Sequence, residues 1–486
     1  MKKRVVVILL LLAVLAVAAA GGFYYFHTHL FFEGEAYSKD ITELTLSQEA
    51  LSDPEQVSQL EQLPQLKTLN LLDAGITPEQ YDALRQRLPE CEILWKVPFQ
   101  GQHLDPDTEE LQLSAITEEE LALLSYFPRL SRIDARECTD LNTVSLLQEA
   151  CPDCEILYQV QIGSQKLPQD AQTLSVSQEE AALLGDVLSY LPQVQEISVS
   201  GRPDKEEMYA LKQAYPEITF LWEFQMCGLT VSSSDTELDL SGIVMESVEE
   251  VERNLKYFNG LERVDMCGCG IPSVEMDALW KRHPETRFVW YARIGRADVR
   301  TDVIGFIPYT YGYSGQGTDP AHNLSDRDVT ELKYLVDLVV IDLGHMAIRD
   351  LSFLQYMPNL EYVLLCDNGI RDVSPLAGLT KLRYLELFNN PISDISALAE
   401  CPALEDVNVT YNTIQDVTPL LGLENLNNLW ITGGFLTNDQ IRQLQEGLPG
   451  VNLVLASGRS TAAGWRELPN YYAQRDILGM WYMTTP

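Results

Sequence analysis

Cations are scarce in this 486-residue chain, where 34 Lys and Arg stand against 71 Asp and Glu for a net charge of −37. Such a carboxylate excess excludes phosphate backbones and anionic lipid surfaces as expected partners, so no nucleic-acid role is read from it. Histidine is scarcer still, six in all, and none falls in H-E-x-x-H or another ligand spacing. No G-x-x-x-x-G-K-[ST] phosphate cradle occurs, and Gly312-Tyr313-Ser314-Gly315-Gln316 misses the G-x-S-x-G elbow because Gln316 replaces the second Gly. The alternating acids Asp105, Asp107 and Glu109 lack the Gly of a calcium loop and read as solvated carboxylates. The chain is therefore expected to have no catalytic residues, no metal and no cofactor. Nine Cys are an odd number, and neither Cys151/Cys154 nor Cys267/Cys269 belongs to a zinc-knuckle pattern. Most read as small core residues; Cys91 and Cys154 stand where equivalent segments carry Ile218 and Thr286.

What the chain does have is leucine, roughly 15 % of all residues, well above its usual share. It also has one long apolar run. Residues 5–26 follow Met1-Lys2-Lys3-Arg4 without a charge and would span about 33 Å as a helix, enough to cross a bilayer. Phe23 to Phe26, Phe31 and Phe32 suit an interfacial aromatic belt. Residues 1–32 are thus expected to be a single-pass membrane anchor that leaves the rest outside the cytoplasm. The alternative is secretion after cleavage near Ala18-Ala19-Ala20.

From residue 338 the pattern L-x-x-[ILV]-x-[ILV] recurs every 22 residues, beginning at Leu338, Leu360, Leu382, Leu404 and Leu426. Asn368, Asn390 and Asn412 follow at a fixed offset, then Ile370, Ile392 and Ile414, then Asp372, Asp394 and Asp416. The alternation makes a short strand with its apolar side chains inward, and the Asn can satisfy turn backbone that no ladder reaches. A lone 22-residue unit buries too little to fold, so the units must stack and be capped. This pattern resembles the leucine-rich repeat, and its length and I-x-D-[IV]-[ST]-x-L segment resemble the bacterial internalin-like class. The resemblance implies an α/β leucine-rich repeat solenoid, with parallel strands on a concave face and helices and turns on the convex face.

The earlier part keeps a longer beat. Leu66, Leu130, Val194 and Leu261 open equivalent strands spaced by 64, 64 and 67 residues, and Trp95, Tyr158, Trp222 and Trp290 follow Pro89, Pro152, Pro216 and Pro284 by six. Each unit reads as strand, helix, strand, helix and an aromatic-bearing strand that turns at Gly101, Gly163, Gly228 or Gly295. The aromatic column reads as stacked core. The step from Leu261 to Leu338 grows to 77 residues, which places an insertion in the Tyr- and Gly-rich segment 306–326. The expected organisation is an anchor at 1–32, irregular repeats at 33–300, a junction at 301–336, regular repeats at 337–455 and a C-terminal cap at 456–486, with roughly fifteen strands in one array. The cap's aromatics are expected on the apolar edge of the last repeat.

The resemblance also implies function, because leucine-rich repeats usually bind macromolecules on the concave strands. Carried over position by position, the concave columns are Val340, Tyr362, Tyr384, Asp406, Asn428; Asp342, Leu364, Glu386, Asn408, Trp430; and Gly344, Cys366, Phe388, Thr410, Thr432. His345, Asp367, Asn389, Tyr411 and Gly433 flank them. The expected binding residues are Tyr362, Leu364, Tyr384, Glu386, Phe388, Asn408, Tyr411 and Trp430, an exposed aromatic patch among acids, with Tyr309, Tyr311 and Tyr313 as a possible loop site; the alternative is that the C-terminal cap or the Tyr loop folds over the patch. The reading is a membrane-anchored protein at the bacterial cell surface that recognises a protein ligand or envelope macromolecule. An envelope scaffold or assembly factor is the alternative, and a hydrolase or carbohydrate-binding protein using the Tyr loop ranks below it.

Overall fold

The computed structural model describes residues 21–22, 25, 27–32, 35–47, 58–308, 324–433 and 436–479. Residues 5–20 of the expected anchor lie outside them, as do Tyr309, Tyr311 and Tyr313. Among the described residues no helix is long and apolar enough to cross a membrane.

The chain divides into two compact units at Phe220/Leu221. In the first, short parallel strands stack in threes: Glu43–Thr45, Thr68–Asn70 and Glu92–Leu94, then Glu110–Gln112, Arg132–Asp134 and Glu155–Leu157. Helices return the chain, and their starts are written in the sequence. Thr77, Thr117 and Ser177 each accept a hydrogen bond from the N–H three residues on, and the side chain at that position (Gln80, Glu120, Glu180) accepts one from the cap's own N–H.

After each third strand comes an antiparallel hairpin, Val97–Phe99 with Gln102–Leu104 and Gln159–Ile162 with Gln165–Pro168. The second unit holds two more, whose paired strands end at Met226/Leu229 and Ile294/Ala297. All four turn at the expected glycines, which have φ of 72°, 57°, 80° and 58°. The parallel strands are shared among several sheets, and the hairpin that ends at Met226/Leu229 continues a four-stranded one with Thr173–Ser177 and Glu196–Ser200. The aromatic column is core: Trp95, Tyr158, Trp222 and Trp290 are all buried, and Trp95 stacks on Tyr81 at 4.1 Å.

The second unit continues with a three-stranded sheet, Glu237–Asp239, Arg263–Asp265 and Arg287–Val289, and ends in a seven-stranded parallel sheet. Its strands are β1 (Gly305–Phe306), β2 (Val340–Asp342), β3 (Tyr362–Leu364), β4 (Tyr384–Glu386), β5 (Asp406–Asn408), β6 (Asn428–Trp430) and β7 (Asn452–Val454). Pairing is in register, so Ile341, Val363, Leu385, Val407 and Leu429 form one fully buried column. A helix, α1 (Asn438–Gly447), lies between β6 and β7 in sequence, and a second, α2 (Pro469–Ile477), ends the described chain.

The fixed spacing of polar residues within the repeats has a hydrogen-bond reason. Asn368, Asn390 and Asn412 donate from Nδ2 to the carbonyls of Leu343, Leu365 and Leu387 one coil earlier, at 2.8 to 3.0 Å. Their Oδ1 atoms accept from the N–H groups of Ile348, Ile370 and Ile392. Each Asn thus satisfies buried turn backbone on two sides. Asp350, Asp372, Asp394 and Asp416 accept from the N–H two residues on, starting the 3₁₀ turns that form the return segments.

The cysteines follow the same economy. Cys154 Sγ donates to the Leu130 carbonyl at 3.2 Å, Cys269 to Leu240 and Cys401 to Leu376 at 3.1 Å, and Thr286 Oγ1 donates to Leu261 at 2.8 Å. A small donor reaching back one coil explains why Cys and Thr stand in equivalent positions.

Candidate functional site

The columns implied by the resemblance lie side by side on the seven-stranded sheet, but they do not face solvent. Tyr362, Leu364, Glu386, Phe388, Asn408 and Trp430 are buried, and Tyr384 is fully so. Tyr411 alone of the eight expected contact residues is exposed. The cover is the chain's own C-terminal segment, residues 457–478. This segment lies across the strands and not on the edge of the last repeat, the expected place of the cap's aromatics.

Trp465 is the anchor of this segment. Its indole stacks on Tyr384 with ring centroids 5.0 Å apart and meets Trp430 edge-on at 5.1 Å. Its Nε1 donates to Glu386 Oε1 at 2.8 Å. Arg466 pairs with the same carboxylate at 3.1 Å, and the Tyr384 hydroxyl donates to it as well. Glu386, with no exposure of its own, is thus fully partnered, as a buried charge requires. Burial works against the Arg466 charge, yet Glu386 holds its affinity for a proton above the ordinary arginine value.

Around this centre the segment is held by polar contacts. Asn408 Nδ2 donates to the Ser460 carbonyl at 2.9 Å and Trp430 Nε1 to the Ala462 carbonyl at 2.8 Å. From α2, Asn470 Nδ2 donates to Glu405 at 2.8 Å and Asp406 at 2.9 Å. Leu468, Tyr471, Ala473, Ile477 and Leu478 complete the apolar contact with Val340, Tyr362 and Leu364. A Cβ on Gly305 would approach Val340 of the neighbouring strand to 3.1 Å and Leu478 and Ile477 to 3.2 and 3.4 Å, a tight fit that favours a glycine in β1.

Burial, reinforced by Glu386, pushes the Asp342 carboxyl up to about 6 although its Oδ1 accepts from Gly344 N–H at 2.9 Å. Burial also raises Asp406. Glu405 goes the other way because Arg383 grips it in a two-pronged contact at 2.9 and 3.1 Å.

The flanking column forms an exposed rim. His345, Asp367, Asn389, Tyr411 and Gly433 all sit at left-handed backbone positions, with φ between 54° and 64°. His345 Nδ1 lies 2.9 Å from Asp367 Oδ2, and Asn389 donates to the other oxygen of Asp367. Tyr411 lies over Gly433, where an added Cβ would meet the ring at 2.0 Å.

Cys366 Sγ lies 3.9 Å from His345 Nε2, which gives the order thiol, imidazole, carboxylate found in cysteine hydrolases. The electrostatics oppose that chemistry. Burial raises the Cys366 pKa strongly, and Glu386 and Asp342 raise it further, the reverse of the electropositive setting that makes a thiolate. An open hollow of about 300 Å³ is lined by Asp326, Lys333, Asp350 and Tyr356 among others. Asp326 there is already committed to the N–H groups of Arg349 and Asp350.

Comparison with known proteins matches residues 358–400 to the family described as Leucine Rich repeats (2 copies). No curated protein matches the sequence. Among solved structures, internalin C2 from Listeria monocytogenes is 25% identical, with 27% of this chain and 70% of that one covered at a TM-score of 0.23. An internalin, inlF, from the same organism is 16% identical over 88% of this chain and 87% of its own, with a TM-score of 0.25. A leucine-rich repeat protein from Leptospira interrogans is 14% identical over 85% and 90%, with a TM-score of 0.28. Leucine-rich repeat proteins generally act by recognising other proteins. Residues 358–400 thus match leucine-rich repeats, and the 22-residue coils with their stacked asparagines carry the same pattern through the seven-stranded sheet.

Proposed function

We propose that this chain is a non-enzymatic scaffold of the bacterial cell envelope that recognises polypeptide, tethered by residues 5–26 with its repeats outside the cytoplasm. One observation carries the recognition reading: the concave face holds residues 457–478 by the contacts of a protein–peptide interface. Aromatic side chains stack in a desolvated centre, a buried ion pair fixes the register, and backbone carbonyls are gripped from the strands. With that face filled, the exposed rim of His345, Asp367, Asn389 and Tyr411 is the surface offered to a protein ligand. The uncharged run after Lys2, Lys3 and Arg4 supports the tether and the outward orientation.

The test places a photo-crosslinking residue at Tyr411 in the full chain, in intact cells, with a control at Glu400 on a return segment. An adduct of defined mass at position 411 and not at 400 is expected, sensitive to protease added outside the cells. No adduct at 411, or the same adducts at both positions, would remove the rim as a binding surface. Persistence of every adduct under external protease would remove the outward orientation.

A further inference from the structure

We propose that the concave groove is a binding site for a partner polypeptide carrying an aromatic residue followed by an arginine, and that residues 457–478 occupy it as a displaceable internal ligand. This deepens the polypeptide-recognition reading above and rests on it.

Complementarity defines the ligand. The groove offers a stacking slot between Tyr384 and Trp430 and, at its edge, the carboxylate of Glu386, which takes both an indole N–H and a guanidinium. Asp342 and Asp406 lie on the same face, so a cationic segment is drawn to it and an acidic one repelled. The strands also grip the carbonyls of Ser460 and Ala462, atoms that any polypeptide presents. The specificity therefore resides in the aromatic–arginine pair.

Two local costs fall on the occupant and its junction, although the core nitrogens Trp222 Nε1 and Trp290 Nε1 are equally unpartnered. Gln474 is buried in α2, yet its Oε1 has no hydrogen-bond partner, a penalty that a partner's own side chain can avoid. Ala463, immediately before Gly464 and Trp465, has left-handed backbone with φ of 56°, which costs a residue that carries a Cβ, while Gly464 at 84° adopts it freely. Tethering gives the internal ligand a high effective concentration, which a partner must overcome.

The test uses the full chain and a labelled synthetic peptide of residues 459–478. Trp465→Ala with Arg466→Ala in the chain empties the slot, and the peptide is expected to bind this variant at least tenfold more tightly than the unaltered protein. The same two substitutions in the peptide, or Glu386→Gln added to the variant chain, should each weaken binding at least tenfold. Equal binding to variant and unaltered chain, or no binding to a cooperatively folding variant, overturns the proposal. Should the variant not fold, hydrogen exchange on the unaltered protein decides. Amides of residues 465–478 should exchange at least tenfold faster than those of Leu385 and Val407, and equal rates overturn it. A failed peptide test with Tyr411 crosslinks intact removes only the displaceable ligand. Lost crosslinks with peptide binding intact remove only the rim.

Discussion

Single side chains set the geometry of each coil, and their replacement should be felt in proportion to the backbone they satisfy. Asn390→Ala strands the Leu365 carbonyl and the Ile370 N–H and is expected to cost about 2–4 kcal/mol in denaturant unfolding. A loss below about 0.5 kcal/mol would show that the ladder is dispensable. Glycines divide by their surroundings. Gly163→Ala meets Glu180 Oε1 at 2.0 Å, the side chain that completes the Ser177 capping box, whereas Gly101→Ala meets nothing within 4 Å. Both have positive φ, so the first should cost more than the second by about 1 kcal/mol or more; equal losses would contradict the contact. Asp342 carries a pH signature. Its folded value of about 6 exceeds the ordinary 3.8, so the folded state holds the proton more tightly and this group loses stability as pH rises through that interval. Asp342→Asn should therefore stabilise by about 1–3 kcal/mol at pH 7, and the gain should vanish below about pH 4. A gain independent of pH would place its cause elsewhere.

At the scale of elements, much is legible in the amino-acid sequence. The 22-residue beat, the strand phase and the Asn positions follow from periodicity, because a strand inward on every second residue and a polar turn donor leave little choice. The Pro, aromatic and Gly beat of the longer units likewise marks the hairpins. What periodicity does not reveal is the cover on the concave strands. Alternation says which side of a strand a residue occupies and is silent about what packs there. One signal is present: Tyr362, Leu364, Tyr384, Phe388 and Trp430 are more apolar surface than a solvated face carries, and Trp465 lies in a tail with matching aromatics. The return segments offer a separate test. Asp394→Ala removes the acceptor of the Ser396 N–H and should cost about 1 kcal/mol by unfolding, with no change in the groove contacts. A larger loss would mean that this turn supports more than its own coil.

For the whole molecule, the charge of −37 is spread over a fold whose ion pairs engage only part of the acids. Self-repulsion should therefore lower stability at low ionic strength, and raising salt from about 10 mM to about 150 mM, which shortens the screening length from about 30 Å to about 8 Å, should raise the unfolding midpoint. A fall would show that attractive pairs such as Arg383–Glu405 and Arg466–Glu386 dominate. The same acidity suits a groove whose central residue is a buried glutamate and whose occupant supplies the arginine. Closure of that groove by residues 457–478 is the central claim, and a double-mutant cycle tests it most directly. Glu386→Gln, Arg466→Met and the double variant should be unfolded side by side in the full chain. Contact between the two predicts a coupling of about 1.5 kcal/mol or more. Losses that add to within about 0.4 kcal/mol would contradict it and leave the concave face open.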